Sequence, residues 1–170
     1  YLRRSCKNVI IGTYAGRGVD GVTNAGVGCG GDHNVIIGHA TAQAFRGGSC
    51  NVMMGFGVGV ANSTGTNNVF IGRRAGQCNL IGSSNVFVGN YAACFASSIY
   101  YSVALGHAAG KKLTSGGCNV LIGMEAGCSL TATSQVVTIG SCAMRCATAT
   151  GVNVAIGPNA GKCLTGDQNA

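Results

Sequence analysis

The chain alternates apolar and polar positions in short segments that end in glycine and recur every seventeen residues. Residues 119–127 show the unit as Asn-Val-Leu-Ile-Gly-Met-Glu-Ala-Gly. Counted from the Asn, position two is valine in every copy, position four is aliphatic or methionine, and position five is glycine. This alternation, rich in β-branched residues, predicts a short β-strand that the glycine ends. The nine copies begin at residues 8, 34, 51, 68, 85, 102, 119, 136 and 153.

The fixed period predicts how these strands are arranged. A five-residue strand cannot bury a face alone, but parallel copies stacked about 4.8 Å apart can. We therefore predict an all-β chain, a parallel β-solenoid of about nine 17-residue rungs and roughly 40 Å long. Residues 1–170 form one repeat domain. The second copy follows the first after 26 residues instead of seventeen, which predicts an inserted loop at 25–33.

Alternation assigns positions two and four to one face of the strand and position three to the other. We place positions two and four in the interior, so position three faces outward. Because position three is largely apolar, it predicts a lateral contact with another rod. The alternative is a broad interior that contains position three, with the two faces reversed. The position-one Asn residues should stack as an amide ladder, interrupted by Ser102 and Val136. The candidate lateral residues are Ile10, Ile36, Met53, Phe70, Phe87 and Leu121.

Ten cysteines in 170 residues favour an oxidising compartment. Residues stacked on adjacent rungs are close enough for a disulfide, which predicts Cys78–Cys94 and Cys146–Cys163, with Cys128–Cys142 as a weaker pair. Cys50 is expected to meet Cys29 of the inserted loop. Cys6 and Cys118 remain for bonds between subunits. The alternative is that several of these cysteines are small buried thiols.

Charge and composition restrict the chemistry of the chain. Its net charge is +7, with eleven basic and four acidic residues, which favours polyanionic partners such as acidic glycans, nucleic acid or other cell surfaces. The simpler interpretation, which we prefer, is a surface charge that keeps the protein soluble. Nucleic acid is disfavoured because the basic residues are scattered and aromatics are few. No apolar run approaches the roughly 18 residues of a membrane span. With no nucleophile–base pair, no paired carboxylates and no Cys-x-x-Cys, we expect no enzyme, metal or cofactor.

One sequence motif suggests a modification. Asn62-Ser63-Thr64 matches the acceptor pattern for N-linked glycosylation, which applies if the chain passes through a competent secretory route. Asn62 is therefore a candidate glycosylation site.

The repeats resemble those of known surface proteins. Residues 102–109, Ser-Val-Ala-Leu-Gly-His-Ala-Ala, are similar to head repeats of YadA-like trimeric autotransporter adhesins. Residues 68–76, Asn-Val-Phe-Ile-Gly-Arg-Arg-Ala-Gly, resemble the repeats of phage and algal-virus tail-fibre-like proteins. The resemblance covers 8–169 and implies an extracellular β-roll that serves as an adhesive or spacer shaft, often trimeric and without catalysis. The chain differs from the autotransporter heads in two respects: the repeat period of those heads is nearer fourteen residues, and those heads rarely carry cysteine.

These observations favour a structural subunit of an extracellular filament or fibre. Neither end of the sequence shows a capping element, so we expect rods to stack end to end, as a homopolymer or homotrimer on a cell or virion surface. The first alternative is an adhesin or viral tail-fibre shaft that binds surface glycans. An ice-binding protein is a third, because Thr131-Ala132-Thr133 and Thr148-Ala149-Thr150 lie in register.

Overall fold

The structure is a computed structural model that describes residues 7–17, 31–148 and 151–165. All regular structure within these ranges is β-strand. The strands are β1 (Val9–Ile11), β2 (Val35–Ile37), β3 (Val52–Phe56), β4 (Val69–Arg73), β5 (Val86–Val88), β6 (Ser98–Tyr100), β7 (Val103–Leu105), β8 (Ser115–Gly117), β9 (Val120–Ile122), β10 (Val136–Ile139) and β11 (Asn153–Ile156).

Nine of these strands form one parallel sheet in the order β1-β2-β3-β4-β5-β7-β9-β10-β11. The valines at position two are direct partners: Val69 pairs with Val86, and Val86 with Val103. Strands β6 and β8 pair in a second, smaller parallel sheet on another side of the coil. Each 17-residue unit is thus one rung, and the chain is a parallel β-solenoid, as the period predicts.

The glycine at position five ends each strand for two reasons. At Gly72 the backbone has φ +129°, which residues with a Cβ rarely adopt. In addition, a Cβ at Gly72 would lie 2.5 Å from the carbonyl oxygen of Gly89 on the next rung. The chain then turns through left-handed conformations at positions seven and nine, for example at Tyr91 (φ 60°) and Ala93 (φ 44°). Because each rung turns in the same way, corner side chains of successive rungs lie above one another.

The interior of the coil contains position three, so our assignment of the two strand faces was wrong. Phe70 and Phe87 are fully buried, with ring centroids 4.9 Å apart and planes 3° from parallel. Ile36, Met53 and Leu121 are also buried, and Ile10 is partly buried against the same core. The predicted lateral residues Ile10, Ile36, Met53, Phe70, Phe87 and Leu121 therefore pack inside the coil and cannot contact another rod.

Positions two and four form the outward surface of the nine-stranded sheet, which we call the outer sheet face. Its valines and its Ile, Leu, Val or Met residues are half-buried in most rungs because each packs against the rung above and the rung below. At the two outermost strands, where one neighbour is missing, Ile11 is 57% exposed and Ile156 67%. The valine column contains Val9, Val35, Val52, Val69, Val86, Val103, Val120, Val137 and Val154, and the second column Ile11, Ile37, Met54, Ile71, Val88, Leu105, Ile122, Ile139 and Ile156.

The Asn residues at position one form the predicted ladder inside the coil. Asn51 donates from Nδ2 to Asn34 Oδ1 at 3.0 Å and to the carbonyl oxygen of Gly65, near the end of its own rung, at 2.8 Å. Its Oδ1 accepts the backbone N–H of Asn68. The amides that join neighbouring rungs and close their own rung in this way are those of Asn8, Asn34, Asn51, Asn68, Asn85 and Asn119. At the predicted interruption, Ser102 Oγ replaces the amide as the acceptor for the N–H of Asn119.

The insertion between the first two copies leaves the sheet unbroken. Val9 pairs directly with Val35 although 26 residues separate them. Most of the predicted loop, 25–30, lies outside the described residues. Residues 31–33 follow the ordinary repeat, since Cys50 donates its backbone N–H to the Asp32 carbonyl oxygen at 2.9 Å. Residues 31–33 therefore belong to the coil.

Candidate functional site

The structure provides no site for metal-dependent chemistry in the ranges that it describes. No group of three or more His, Cys, Asp or Glu side chains there is placed to hold a metal ion. The single ion pair of these ranges joins Arg145 Nε to Glu125 Oε2 at 2.7 Å. The candidate sites described below are interaction surfaces and the cysteine pairs.

All eight described cysteines are free thiols in this structure. Cys78 and Cys94 lie on adjacent rungs, and the Cys78 N–H donates to the Cys94 carbonyl oxygen at 3.1 Å. Burial raises the pKa of both thiols. Cys146 and Cys163 are also neighbours, and a hydrogen bond between their thiols raises the pKa of Cys163. The structure thus brings both predicted pairs together without a bond between their sulfur atoms.

The predicted Cys128–Cys142 pair is wrong in register. Cys142 donates its backbone N–H to Met124 and lies beside Glu125, with Sγ 3.9 Å from Glu125 Oε2. Cys128 occupies a different column, where its carbonyl oxygen accepts the N–H of Lys112. The two cysteines differ by three positions within their rungs, so the stacking does not align them.

The remaining cysteine predictions concern exposed or undescribed residues. Cys50 and Cys118 are both exposed, at the last position of their rungs and with φ 58°. Cys6 and Cys29 lie outside the described residues. Bonds from Cys6 or Cys118 to another subunit, and from Cys50 to Cys29, stay predictions.

Asn62 is unsuited to carry a glycan. Its side chain is fully buried, and its Oδ1 accepts the backbone N–H of Gly65 at 3.1 Å. The Nδ2 atom, to which a glycan would be attached, is enclosed in the coil and has no hydrogen-bond partner. The predicted glycosylation of Asn62 is therefore incompatible with this fold, because the Asn62 side chain lies inside the coil.

The threonine pattern does not form the regular array that an ice-binding face needs. Thr131 is exposed, but Thr133 is buried inside the coil, where its Oγ1 has no partner. Thr148 is exposed, whereas Thr150 lies outside the described residues. A single outward column, Thr114, Thr131, Thr148 and Thr165, remains.

The outer sheet face is one candidate surface for association. It follows the sheet over all nine strands, and neither of its columns contains a charged or polar residue. Contiguous apolar surface of this kind is uncommon on monomeric soluble proteins. Position three, the predicted lateral contact, lies in the interior, so positions two and four are the candidates for that contact instead.

A second candidate surface, which the sequence analysis missed, follows one corner of the coil. Arg73 donates from Nη1 to the hydroxyl oxygen of Tyr91 at 3.0 Å. The guanidinium carbons of Arg73 and Arg74 lie 5.4 and 5.7 Å from the centroid of the Tyr91 ring, and Lys111 Nζ lies 5.3 Å from it. Arg73 also lies 6.0 Å from the ring of Phe56. We call Phe56, Arg73, Arg74, Tyr91 and Lys111 the corner strip.

The corner strip continues into further aromatic residues towards β1. His39 stacks on Phe56 with centroids 5.3 Å apart, and Tyr14 contacts His39 edge-on at 5.7 Å. The Arg73-Arg74 doublet at positions six and seven was the available sequence signal. Tyr91 could have been added to it by aligning position seven of adjacent rungs, whereas Lys111 is three positions farther along its rung and would not have been found in this way.

Comparison with known proteins supplies no relative. Family models, curated proteins and solved structures yield no significant match to the chain. The resemblance to adhesin heads and tail-fibre repeats therefore stays a prediction. Within the described ranges there is also no helix of the length and apolarity required to cross a membrane.

Proposed function

We propose that the chain is a structural subunit of an extracellular filament or fibre made of β-solenoid rods. The observation that supports this most is the outer sheet face. Covering its half-buried Val, Ile, Leu and Met side chains would lower the free energy by about 25 cal/mol per Å² of apolar surface removed from water. The chain itself places nothing over this face among the described residues.

A second copy of the chain is the partner that fits this face best. Its two columns contain no charged residue, so they offer no group that would select a charged ligand. Its ridges repeat at the rung spacing of about 4.8 Å. Another rod has the same spacing, so the side chains of the two rods can interdigitate along their whole length. Such lateral contacts produce dimers, trimers or bundles.

Association along the rod axis is the other component of the proposal. Strand β11 pairs with β10 on one side, and no described strand pairs with Ala155 or Ile156 on the other. Gly157 likewise has no atom within 4 Å of the position where a Cβ would lie, whereas Gly72 and Gly106 meet the next rung there. An open parallel edge accepts a further strand in the same register. Disulfides through the exposed Cys118, which lies in the middle of the rod, would cross-link rods that are bundled side by side.

The experiment is negative-stain electron microscopy of the native protein, with and without reductant, combined with light scattering. We expect filaments or bundles, with shortening in reductant if disulfides lie at the joints. Substituting Val86→Lys and Val103→Lys on the outer sheet face should abolish lateral association while the circular dichroism spectrum stays unchanged. Leu80→Lys, at a position that is 48% exposed and outside this face, is the matched control. Discrete monomeric rods about 38 Å long, eight steps of the rung spacing, would refute the proposal.

An adhesin or viral tail-fibre shaft that binds surface glycans is the second candidate function. The clustering of Arg73, Arg74 and Lys111 around Tyr91 favours it. Filament formation and glycan binding depend on different surfaces, so variants can separate them.

A further inference from the structure

Charge along the corner strip is not balanced within the protein. Three cations surround one tyrosine ring, and no carboxylate of the described ranges lies in an ion pair with any of them. Glu125, the acidic residue of the same corner two rungs farther on, is paired with Arg145. Like charges held this close repel one another, and a bound anion would relieve that repulsion.

The positions of these cations are fixed by contacts to the protein. Tyr91 orients Arg73 through its hydroxyl oxygen, and its ring attracts all three cations, as ring faces attract guanidinium and ammonium groups. Arg74 and Lys111 are half-buried, while Arg73 is exposed. Because these side chains are ordered beforehand, binding through them loses less side-chain entropy than binding through free surface arginines.

The shape of the strip favours a linear polymer. Its residues come from rungs of β3, β4, β5 and β7, and Tyr14 and His39 extend the same line to β1. Phe56 and Tyr14 are 47% and 51% exposed, so apolar ring edges accompany the cations along the rod. A chain lying parallel to the axis would meet a cation or an aromatic edge on successive rungs.

The contacts that the aromatic rings already make determine which of two classes of polyanion fits the strip. Single-stranded nucleic acid binds by stacking its bases on open aromatic faces. Here His39 and Arg73 flank Phe56, and Tyr91 has arginines from the preceding rung and Lys111 from the following one. The ring faces are therefore occupied, and the cations remain free to donate hydrogen bonds to carboxylate or sulfate groups.

We propose that the corner strip binds an acidic polysaccharide, with Arg73, Arg74 and Lys111 donating to its carboxylate or sulfate groups and Phe56 contacting the apolar faces of its sugars. This site deepens the glycan-binding candidate function and does not depend on filament formation. All five residues of the corner strip come from one chain, so the site needs no residue from a second chain.

The test is binding of the native full-length chain to immobilised heparin and to polygalacturonate at about 0.15 M ionic strength, with neutral dextran and duplex DNA as comparison probes. Both acidic polysaccharides should bind and dextran should not. The variant Arg73→Gln/Arg74→Gln should bind heparin at least about tenfold more weakly, the loss that one charge-assisted hydrogen bond accounts for. The matched control is Arg46→Gln/Lys7→Gln, which removes the same charge from exposed residues outside the strip and should change affinity less than about twofold.

Two further variants keep the test decisive if the double variant fails to fold. Lys111→Gln removes a single cation, and Tyr91→Phe removes only the hydroxyl that positions Arg73. Both should weaken heparin binding while the melting temperature stays unchanged. Equal losses in the strip and control variants would show that bulk charge alone is responsible and would overturn the proposal. Absence of heparin binding, or duplex DNA binding as tightly through the same residues, would overturn it as well.

Discussion

Phe70 and Phe87 stack face to face inside the coil, seventeen residues apart, with their ring centroids separated by 4.9 Å. Both side chains are fully buried, and they occupy position three of adjacent rungs. The pair lies at the centre of a core that elsewhere uses smaller residues such as Ala104. Removal of either ring would therefore leave a cavity beside the other.

Replacing Phe87 with alanine should lower the free energy of unfolding by about 3–5 kcal/mol, because the substitution leaves a cavity in the interior. Phe95→Ala is the matched control, since Phe95 is 48% exposed. Its cost should be below about 1 kcal/mol. Chemical denaturation of both variants measures the difference. Equal costs would show that Phe87 is not in the core.

Alanine substitutions at two glycines separate the cost of a steric clash from the cost of an unfavourable backbone conformation. Gly72 and Gly157 have similar φ values, +129° and +123°, but only at Gly72 would a Cβ meet the next rung. Gly157→Ala should cost about 1–3 kcal/mol from the unfavourable backbone conformation. Gly72→Ala should cost clearly more and prevent pairing of the adjacent strands. The two melting temperatures test this, and similar values would rule out the close approach of the Gly72 and Gly89 backbones.

The Asn ladder at position one should be sensitive to loss of its amides. Asn85 Nδ2 donates to Asn68 Oδ1 and to the Ile99 carbonyl oxygen, and its Oδ1 accepts the Ser102 N–H. Asn85→Leu leaves buried groups on two rungs without partners, at about 1–3 kcal/mol for each such group. We expect a loss of several kcal/mol in denaturant titrations. Asn90→Leu, at an exposed corner, is the control and should be close to neutral.

Asn79 should respond in the opposite direction, although it is equally buried. Its Oδ1 has no hydrogen-bond partner, and its Nδ2 donates to a Gly82 carbonyl oxygen that also accepts from Asn68. Asn79→Leu therefore removes an unsatisfied acceptor without creating a new one. The chain already has Leu113 at this position with Gly116 three residues later. Stability should rise by about 1 kcal/mol, and a decrease would show that the Asn79 carbonyl oxygen has a partner.

The thiols of Cys78 and Cys94 should become reactive at a higher pH than an ordinary cysteine thiol. Burial raises the pKa of Cys78 and Cys94 above the ordinary 9.0. Because only the thiolate reacts with iodoacetamide, the midpoint of the rate–pH curve should lie above 9.0 for both residues. Mass spectrometry of the alkylated native protein gives these midpoints. Values at or below 9.0 would contradict the burial of these thiols.

The same pKa shifts determine how stability depends on pH. The unfolded thiols ionise near 9.0, whereas the folded thiols stay protonated to higher pH. Their contribution is thus fully present below 9.0 and is lost as the pH rises through the folded pKa values. Denaturation midpoints of the wild type should fall over this range more steeply than those of Cys78→Ser/Cys94→Ser. Parallel curves would assign the decrease to other groups.

The period of the sequence predicted the fold, but alternation alone did not identify the buried face. Positions two, three and four are all largely apolar, so hydrophobicity does not distinguish the two sides of the strand. The Asn residues at position one identify the buried face. An amide such as Asn51 that closes its own rung must lie inside, and alternation then places Met53 beside it. The buried hydroxyl of Thr138 at position three follows from the same geometry.

The corner strip was less accessible to sequence reasoning. Its contacts depend on the left-handed backbone at position seven, which directs Arg74 and Tyr91 along the same corner. Nothing in the residue type requires that conformation, because Arg and Tyr rarely adopt a positive φ. Stacking imposes it, since every rung must repeat the turn of its neighbours. The disulfide prediction for Cys128 and Cys142 failed for the related reason that a difference of three positions within a rung exceeds what stacking can align.

The pairing of β1 with β2 across 26 residues has a practical consequence for engineering. Val9 and Val35 pair in the same way as the valines of other adjacent rungs, so the spacing between rungs does not depend on how much polypeptide connects them. A foreign peptide grafted into the segment between Arg17 and Gly31 should therefore leave the pairing of β1 with β2 and the length of the rod unchanged. The same connection in several copies would turn an assembled fibre into a regularly spaced display scaffold.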